Sequence, residues 1–248
     1  ELGGVEYVHL PGANINREPL DEFVLKAADA YVREAKIRRP QRIHAASNFR
    51  QALAALIASR RVGVPFVYEV RGLWELTEAA SKEDWEHSER FALQVELENL
   101  VATEADHVLA ITAQVRDELI ARGVAPERIT LAPNAVNADE FVPLPPDHDF
   151  ARSIGVTLDC PVIGFAGSLV TYEGLDILLE AVRMVRDRDI RVQVVIAGSG
   201  PAAKELHALT EQLHLKDDVT FVGRVPNEDI PRLMSVVDVM PCPRLSTR

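Results

Sequence analysis

Three glycine-rich loops contain the residue types in this sequence that best suit phosphate binding. They are GSLVTYEG from Gly167, GSGP from Gly198 and GRVP from Gly223, and each ends a short apolar, β-branched run. Glycine permits positive φ and lets a ligand approach the backbone, and free N–H groups at a following helix attract anions. Glycine also ends many strands merely to turn the chain. Three such loops together nevertheless favour a site for a nucleotide or a sugar phosphate.

The second loop also fits a dinucleotide-binding pattern, because Gly198, Gly200 and Ala203 match G-x-G-x-x-A after a predicted strand. In such sites the next strand ends in an Asp or Glu that binds a ribose hydroxyl. Here the next strand ends in Gly223 and Arg224. A nicotinamide or flavin site is therefore the weaker alternative.

His44 and Arg71 are the catalytic candidates in the first half of the chain. His44 lies in a predicted strand, and Arg71 follows the end of the next one. Each has a structural alternative, which is a hydrogen-bonded strand position for His44 and an ion pair with a nearby glutamate, such as Glu69, for Arg71.

Other polar and aromatic residues of the first half favour structural roles. Trp74 and Trp85 could stack on sugar rings or cover the core. Glu96 and Glu98 lie on a charged helix and are predicted to be solvated.

Composition excludes several classes of function. The chain has 248 residues, a formal net charge of −11 and a pI of about 5.1, which disfavours nucleic acid as a partner. No apolar run has the length of a membrane span. Cys160 and Cys242 show no metal-binding or redox spacing, which fits a reducing, cytoplasmic compartment.

The basic run from Arg33 to Arg42 could contact anionic lipid at the inner face of a membrane. The alternative is that cations in the last turn of a helix oppose its dipole before Pro40 ends it.

Helical and β-branched segments alternate along the chain, which predicts an α/β fold with parallel sheets. The predicted strands are RIHAAS, PFVYEV, HVLAI and RITLA in the first half and CPVIGFAG, RVQVVIAG, VTFVG and DVMP in the second. The proline-rich segment 133–146 predicts a linker between domains 1–142 and 143–248. Since ligands of open α/β sheets bind beyond the carboxyl ends of the strands, the three loops are expected at one edge.

Several segments, in this order and spacing, resemble the retaining, family-4 type glycosyltransferases of GT-B fold. PNAVNADEF, FAGSLVTYEGLDILLEA, VVIAGSGP and VTFVGRVPNEDIPRLMSVVDVMPCP resemble the linker and the second domain. RIHAASNF, FVYEVRGLWE and ADHVLAIT are similar to the acceptor-side domain, especially in a bacterial polysaccharide-associated branch. The resemblance implies two Rossmann-like domains, each a parallel sheet flanked by helices. Both are incomplete here, so the chain is expected to be a fragment that lacks both ends and is inactive by itself.

The resemblance also implies an activity. This is transfer of a sugar from a nucleotide diphosphate to a hydroxyl of a saccharide or lipid-linked glycan, with retention and without a metal or other cofactor. A non-catalytic partner subunit and a sugar-nucleotide epimerase of the same fold are the alternatives.

The resemblance assigns nucleotide-sugar binding to Gly167, Ser168, Leu169, Gly174, Gly198, Gly200, Arg224, Val225 and Arg244. Ser168 and Glu173 replace the Arg and Lys that the family usually places beside the diphosphate. Backbone N–H groups from Ser168 onward, with arginines such as Arg71 and Arg244, are expected to supply the positive charge instead. Glu173 is expected to face away from the anion. Gly174 is expected to admit it, so that Gly174→Val weakens nucleotide binding and leaves the fold intact. His44 matches the first His of a family H-x-H motif, whose second position is Ala46 here.

Overall fold

The computed structural model describes residues 4–79, 82 and 84–245. The chain forms two compact units that divide between Ala135 and Val136. This division lies inside the segment predicted as a linker, where residues 133–146 form neither helix nor strand.

The first unit contains a four-stranded parallel sheet in the order β1-β2-β3-β4. Its strands are β1 (Ile43–Ala46), β2 (Phe66–Val70), β3 (His107–Ala110) and β4 (Ile129–Leu131). Its helices are α1 (Leu20–Arg38), α2 (Phe49–Val62), α3 (Trp74–Ala79), α4 (Glu89–Glu104) and α5 (Ala113–Ala121). Because the strands are parallel, their carboxyl ends meet at one edge of the sheet.

Strand β2 shows how the sequence positions polar groups at that edge. Phe66, Tyr68 and Val70 are fully buried. Successive side chains of a strand point to opposite faces, so Glu69 lies on the other face from these three residues. Glu69 pairs in register with Ala46 of β1, which places it beside the end of that strand.

The second unit contains a three-stranded parallel sheet in the order β5-β6-β7. Its strands are β5 (Val162–Ala166), β6 (Gln193–Ala197) and β7 (Val219–Gly223). Its helices are α6 (His148–Ser153), α7 (Leu175–Arg186), α8 (Ala203–Gln212) and α9 (Ile230–Ser235). The central strand β6 is buried from Val194 to Ala197, as expected for a parallel sheet covered on both faces.

The strand predicted at DVMP is wrong in extent. It is reduced to one isolated bridge between Ile163 and Val239. Proline has no N–H to donate to a neighbouring strand, so Pro241 and Pro243 prevent the pairing from continuing. Helices α3 and α6 were not predicted from the sequence.

The prediction that Glu98 is solvated is also wrong, whereas Glu96 is exposed as predicted. Glu98 is only 1% exposed. Its carboxylate accepts hydrogen bonds from the Tyr68 hydroxyl and, at 2.9 Å, from the backbone N–H of Phe49, the first residue of α2. Burial raises the pKa of Glu98, although both hydrogen bonds favour its ionised form. This buried carboxyl therefore ties α2 and β2 to α4.

Candidate functional site

A cavity of about 600 Å³ lies in the second unit at the carboxyl ends of β5, β6 and β7. It is lined by Ala166, Gly167, Ser168, Ala197, Gly198, Ser199, Arg224, Val225 and Ile230. The structure thus brings the three glycine-rich loops together at one edge, as the sequence predicts. Ser199 and Ile230 were not singled out from the sequence, although Ser199 belongs to the quoted GSGP loop.

Backbone hydrogen bonds hold these loops against one another. Gly167 N–H donates to Ala197 O at 3.0 Å, and Leu169 N–H donates to Ser199 O at 3.0 Å. Gly198 N–H donates to Gly223 O at 2.6 Å and so attaches the second loop to the third. Main chain of the three loops consequently forms part of the cavity wall.

The glycines of the second loop are required by this packing. Gly198 has φ +140°, and a Cβ there would lie 1.8 Å from Gly167 O. A Cβ on Gly200 would lie 2.2 Å from Leu169 O. Real Cβ atoms essentially never approach other atoms within 3.0 Å. The second loop can therefore contact the first only where it has no side chain. Packing of the two loops thus requires both glycines, whether or not a ligand approaches them.

Gly174 has a comparable structural role, and it does not line the cavity. Its φ is +69°, and a Cβ would lie 2.2 Å from Pro243 O. Leu245 N–H donates to Tyr172 O at 2.9 Å, which fastens the same two segments together. The expectation that Gly174→Val leaves the fold intact is therefore wrong, because its branched side chain meets backbone atoms.

Ser168 and Ser199 present free hydrogen-bond donors at the cavity. Within the described ranges, neither their backbone N–H groups nor their hydroxyls have a hydrogen-bond partner. Leu169 differs, because its N–H is already bonded to Ser199 and its side chain is 2% exposed in the core of the second unit. Gly167 and Ser168 of the first loop thus line the cavity, whereas Leu169 packs in the core of the second unit.

Arg224 is the cation that the structure places at the cavity. It is exposed, and it forms no ion pair with any residue that the structure describes. Val225 lines the cavity beside it. Both residues are among those to which the resemblance assigns nucleotide-sugar binding.

Arg244 is placed differently, outside the cavity lining. Its Nη2 lies 2.5 Å from Glu173 Oε1, and its guanidinium lies 5.6 Å from the Tyr172 ring. The hydrogen bond with Glu173 raises the pKa of Arg244. Glu173 thus pairs with Arg244 and does not line the cavity, and its orientation relative to a bound anion stays a prediction.

In the first unit, Glu69 joins the two catalytic candidates. His44 Nε2 lies 3.0 Å from Glu69 Oε2, and Arg71 Nε lies 2.6 Å from Glu69 Oε1. The hydrogen bond from Arg71 is the largest cause that lowers the pKa of Glu69. Arg71 N–H also donates to Ser47 Oγ at 2.9 Å.

This arrangement can bind a polar ligand as a unit. The Glu69 carboxylate lies between the His44 imidazole and the Arg71 guanidinium and can orient both side chains. The sequence treated Glu69 only as one possible ion-pair partner of Arg71, and it did not indicate Ser47.

The two tryptophans have different surroundings. Trp74 is 49% exposed. Trp85 donates from Nε1 to the backbone oxygen of Glu75 at 3.2 Å, and the Lys82 ammonium lies 4.2 Å from its ring. Trp85 therefore packs in the structure, whereas Trp74 is accessible.

The basic run from Arg33 to Arg42 is partly neutralised. Arg38 pairs with Glu6 at 2.6 Å and with Glu34 at 2.9 Å. Lys36 and Arg38 lie in the last turn of α1, where they oppose the helix dipole. Ile37 between them is 74% exposed. Of the helices in the described part of the chain, none combines the length and apolarity of a membrane span.

Comparison with known families gives a match to each unit. Residues 3–135 match the family described as "Glycosyl transferase 4-like domain". Residues 148–246 match the family described as "Glycosyl transferases group 1".

Curated relatives agree with these matches. A 2-deoxystreptamine glucosyltransferase of Streptomyces kanamyceticus is 26% identical over 196 residues, covering 77% of this chain and 50% of the relative. D-inositol 3-phosphate glycosyltransferase 1 of Catenulispora acidiphila is 34% identical over 175 residues, covering 69% of this chain and 41% of the relative. The chain thus spans about half the length of the curated relatives that it matches.

Solved structures share the fold. Sucrose-phosphate synthase of Thermosynechococcus elongatus has a TM-score of 0.74 at 20% identity, covering 93% of this chain and 57% of that one. HepE of Anabaena in complex with UDP-glucose has a TM-score of 0.71 at 22% identity, covering 90% of this chain and 57% of that one.

Proposed function

Since this chain belongs to the glycosyltransferases of GT-B fold and family-4 type, we propose that the protein transfers a sugar from a nucleotide diphosphate to a hydroxyl acceptor, and that its second unit binds the donor. The cavity at the ends of β5, β6 and β7 carries this proposal. It combines the N–H groups of Ser168 and Ser199 with the guanidinium of Arg224, none of which has a partner among the residues that the structure describes.

The donor diphosphate is proposed to lie against Ser168, Ser199 and Arg224. Two N–H groups, two hydroxyls and one guanidinium suit an anion that carries several oxygens. Val225 and the backbone of Arg224 would then contact the base, because peptide groups can pair with a base edge in fixed register. Gly198 and Gly200 act by holding the first two loops together, as their contacts with Gly167 O and Leu169 O require.

Transfer breaks the bond between the anomeric carbon and the diphosphate, and negative charge grows on the departing oxygen. Preorganised N–H groups and a guanidinium stabilise that charge. The sequence offered Arg71 and Arg244 as the cations that stabilise the diphosphate, but both are paired with glutamates. We therefore assign this role to Arg224. We propose retention at the anomeric carbon and no metal, and proton NMR of the product would identify its anomer.

The first unit is proposed to bind the acceptor, with His44, Glu69 and Arg71 as the polar group that contacts it. The proposed acceptor is a hydroxyl of a saccharide or lipid-linked glycan. The names of the two relatives contain 2-deoxystreptamine and D-inositol 3-phosphate, both of which are hydroxylated rings. We propose a cytoplasmic location, with Ile37 and the cations of the run from Arg33 to Arg42 forming any contact with anionic lipid.

A thermal-shift screen against UDP, GDP, ADP and their sugars tests the proposal. UDP is the first choice, because HepE was solved with UDP-glucose. A ligand at a hundred times its dissociation constant stabilises a protein by about 2.7 kcal/mol. Stabilisation that is lost in Arg224→Gln supports the proposed site, whereas no shift with any of these nucleotides contradicts it.

A non-catalytic subunit that binds nucleotide sugars is the second candidate function. Ser168 and Glu173 stand where the family usually has cations, so neither position carries a positive charge. The observation that favours the second candidate is that the nearby Arg244 is paired with Glu173 and does not replace these cations. Nucleotide-sugar binding without turnover of the donor, in the presence of a range of acceptors, would select this function.

A further inference from the structure

A second cavity, of about 320 Å³, lies in the first unit. Three segments form it: the residues before α1, the first turn of α2 and the first half of α4. Its polar lining includes Arg50 and Arg90, and its apolar lining includes Leu20, Phe49, Leu93 and Leu97. None of these residues has a part in the donor site or in the group around Glu69.

Arg50 and Arg90 are the two arginines that line this cavity in an acidic protein. Neither forms an ion pair with a residue in the described ranges. Each lies near an aromatic ring, with the Arg50 guanidinium 5.8 Å from Phe49 and the Arg90 guanidinium 5.7 Å from Trp85. A ring at this distance orients a guanidinium without neutralising it.

Two carboxylates near these arginines have lysine partners. Glu18, which lines it, accepts a hydrogen bond from Lys26 Nζ at 2.8 Å. Glu78 pairs with Lys82 at 2.6 Å. The hydrogen bond from Lys82 is the largest cause that lowers the pKa of Glu78, and the charge of Arg90 contributes less. The two guanidinium groups therefore line the cavity without a direct ion pair to a described residue, beside Glu18, which is bonded to Lys26.

The N-terminus of α2 does not provide an additional anion site here. The first N–H, of Phe49, donates to Glu98, and the next, of Arg50, donates to the Asn48 side chain at 3.1 Å. An anion in the cavity would therefore depend on the guanidinium groups. The apolar walls favour a ligand whose body is not itself charged, and Leu93 is 53% exposed at this surface.

We infer that this cavity binds the phosphate of a phosphate-bearing acceptor, with Arg50 and Arg90 contacting the phosphate and Leu93 and Leu97 contacting the adjoining carbon skeleton. Guanidinium groups suit phosphate because their N–H groups match its oxygens. Calling the ligand an acceptor rests on the proposed function. Binding of a phosphate at this cavity does not depend on it. The phosphate can belong to a soluble phosphomonoester or to a lipid headgroup.

Titration of the arginine Nε–H resonances by NMR tests the inference on the full chain. The probes are glycerol 3-phosphate and vesicles of phosphatidylcholine with phosphatidylglycerol, each added in the presence of UDP so that the donor cavity is filled. We expect the Arg50 and Arg90 resonances to move with at least one probe. A response to glycerol 3-phosphate identifies a soluble phosphomonoester, and a response to vesicles alone identifies a lipid headgroup.

The double variant Arg50→Gln and Arg90→Gln is expected to weaken binding of the responding probe by at least about tenfold, because charge-assisted hydrogen bonds are lost. Arg50→Lys with Arg90→Lys keeps the charge and is expected to retain part of the affinity. Arg188→Gln is the matched control, because it removes an exposed cation of the second unit that forms no ion pair with a described residue.

Unchanged affinity in the Gln double variant, or no response of either resonance to any probe, overturns the inference. Circular dichroism of each variant checks that the fold is kept. Titration with UDP is read separately on the same samples. Failure of UDP to bind contradicts the proposed function. It does not affect this inference, which is decided by the titrations with the phosphate probes.

Discussion

Gly198→Ala is expected to damage both the stability of the second unit and its binding of nucleotide. The new Cβ would lie 1.8 Å from Gly167 O, so one of the two loops must move by more than an ångström. That movement strains the bonds from Gly167 N–H to Ala197 O and from Leu169 N–H to Ser199 O. It also displaces Ser168 and Ser199, which provide the free donors of the cavity.

The expected loss of stability has two parts. A backbone conformation that only glycine adopts freely costs another residue about 1–3 kcal/mol. Weakening two backbone hydrogen bonds adds roughly 1 kcal/mol for each. The total is about 3–5 kcal/mol, which is a large share of the free energy of unfolding of a typical domain.

Gly155→Ala is the matched control in the same unit. Gly155 has φ +76°, and a Cβ there would meet nothing within 4 Å. It should therefore cost only the left-handed strain, about 1–2 kcal/mol, and leave UDP binding unchanged. Urea unfolding followed by circular dichroism, with calorimetric titration of UDP, compares the two variants. Equal losses of stability and equal UDP affinity in both would refute the role of loop packing in forming the site.

Three further predictions follow from the ionic contacts. Arg224→Gln should weaken UDP binding by about five- to tenfold at low salt, and less at high salt because the guanidinium is exposed, whereas Arg188→Gln should not change it; calorimetric titration decides, and equal affinities contradict the proposed part of Arg224. Glu173→Gln removes the carboxylate that neutralises Arg244, so UDP affinity should stay the same or rise; a lower affinity would show that the ion pair supports the site. Burial raises the pKa of Glu98 above its ordinary value of 4.5, so the folded state binds this proton more tightly than the unfolded chain does, and its contribution to stability is complete below that pH and is lost as the pH rises through the folded-state pKa. Glu98→Gln should therefore reduce the decline in stability with rising pH above about 4.5, whereas the exposed Glu96→Gln should not; thermal unfolding across this range tests it, and parallel curves for the parent and Glu98→Gln would contradict it.

The alternation of elements along the chain predicted most of the fold. Runs such as PFVYEV and RVQVVIAG became β2 and β6 because β-branched and apolar residues suit a sheet that is covered on both faces. The rule that parallel strands end at one edge was sufficient to bring the loops at Gly167, Gly198 and Arg224 together.

What the sequence did not predict depends on contacts between distant residues. Glu96 and Glu98 look alike on a charged helix, and only the approach of Tyr68 and Phe49 distinguishes the buried one. Gly174 fits a ligand loop by pattern, but the reason for its glycine lies about seventy residues later, at Pro243. The pairing of Arg244 with Glu173 likewise could not be predicted from the sequence, because the two residues meet only in the folded chain. This pairing is the reason that the phosphate contact is proposed for Arg224 instead of Arg244.

The position of UDP in a crystal structure of the protein tests the central claim most directly. The account predicts a diphosphate within hydrogen-bond distance of the Ser168 and Ser199 N–H groups and of the Arg224 guanidinium, inside the cavity of about 600 Å³ in the second unit. A diphosphate bound away from all three of these residues would contradict it.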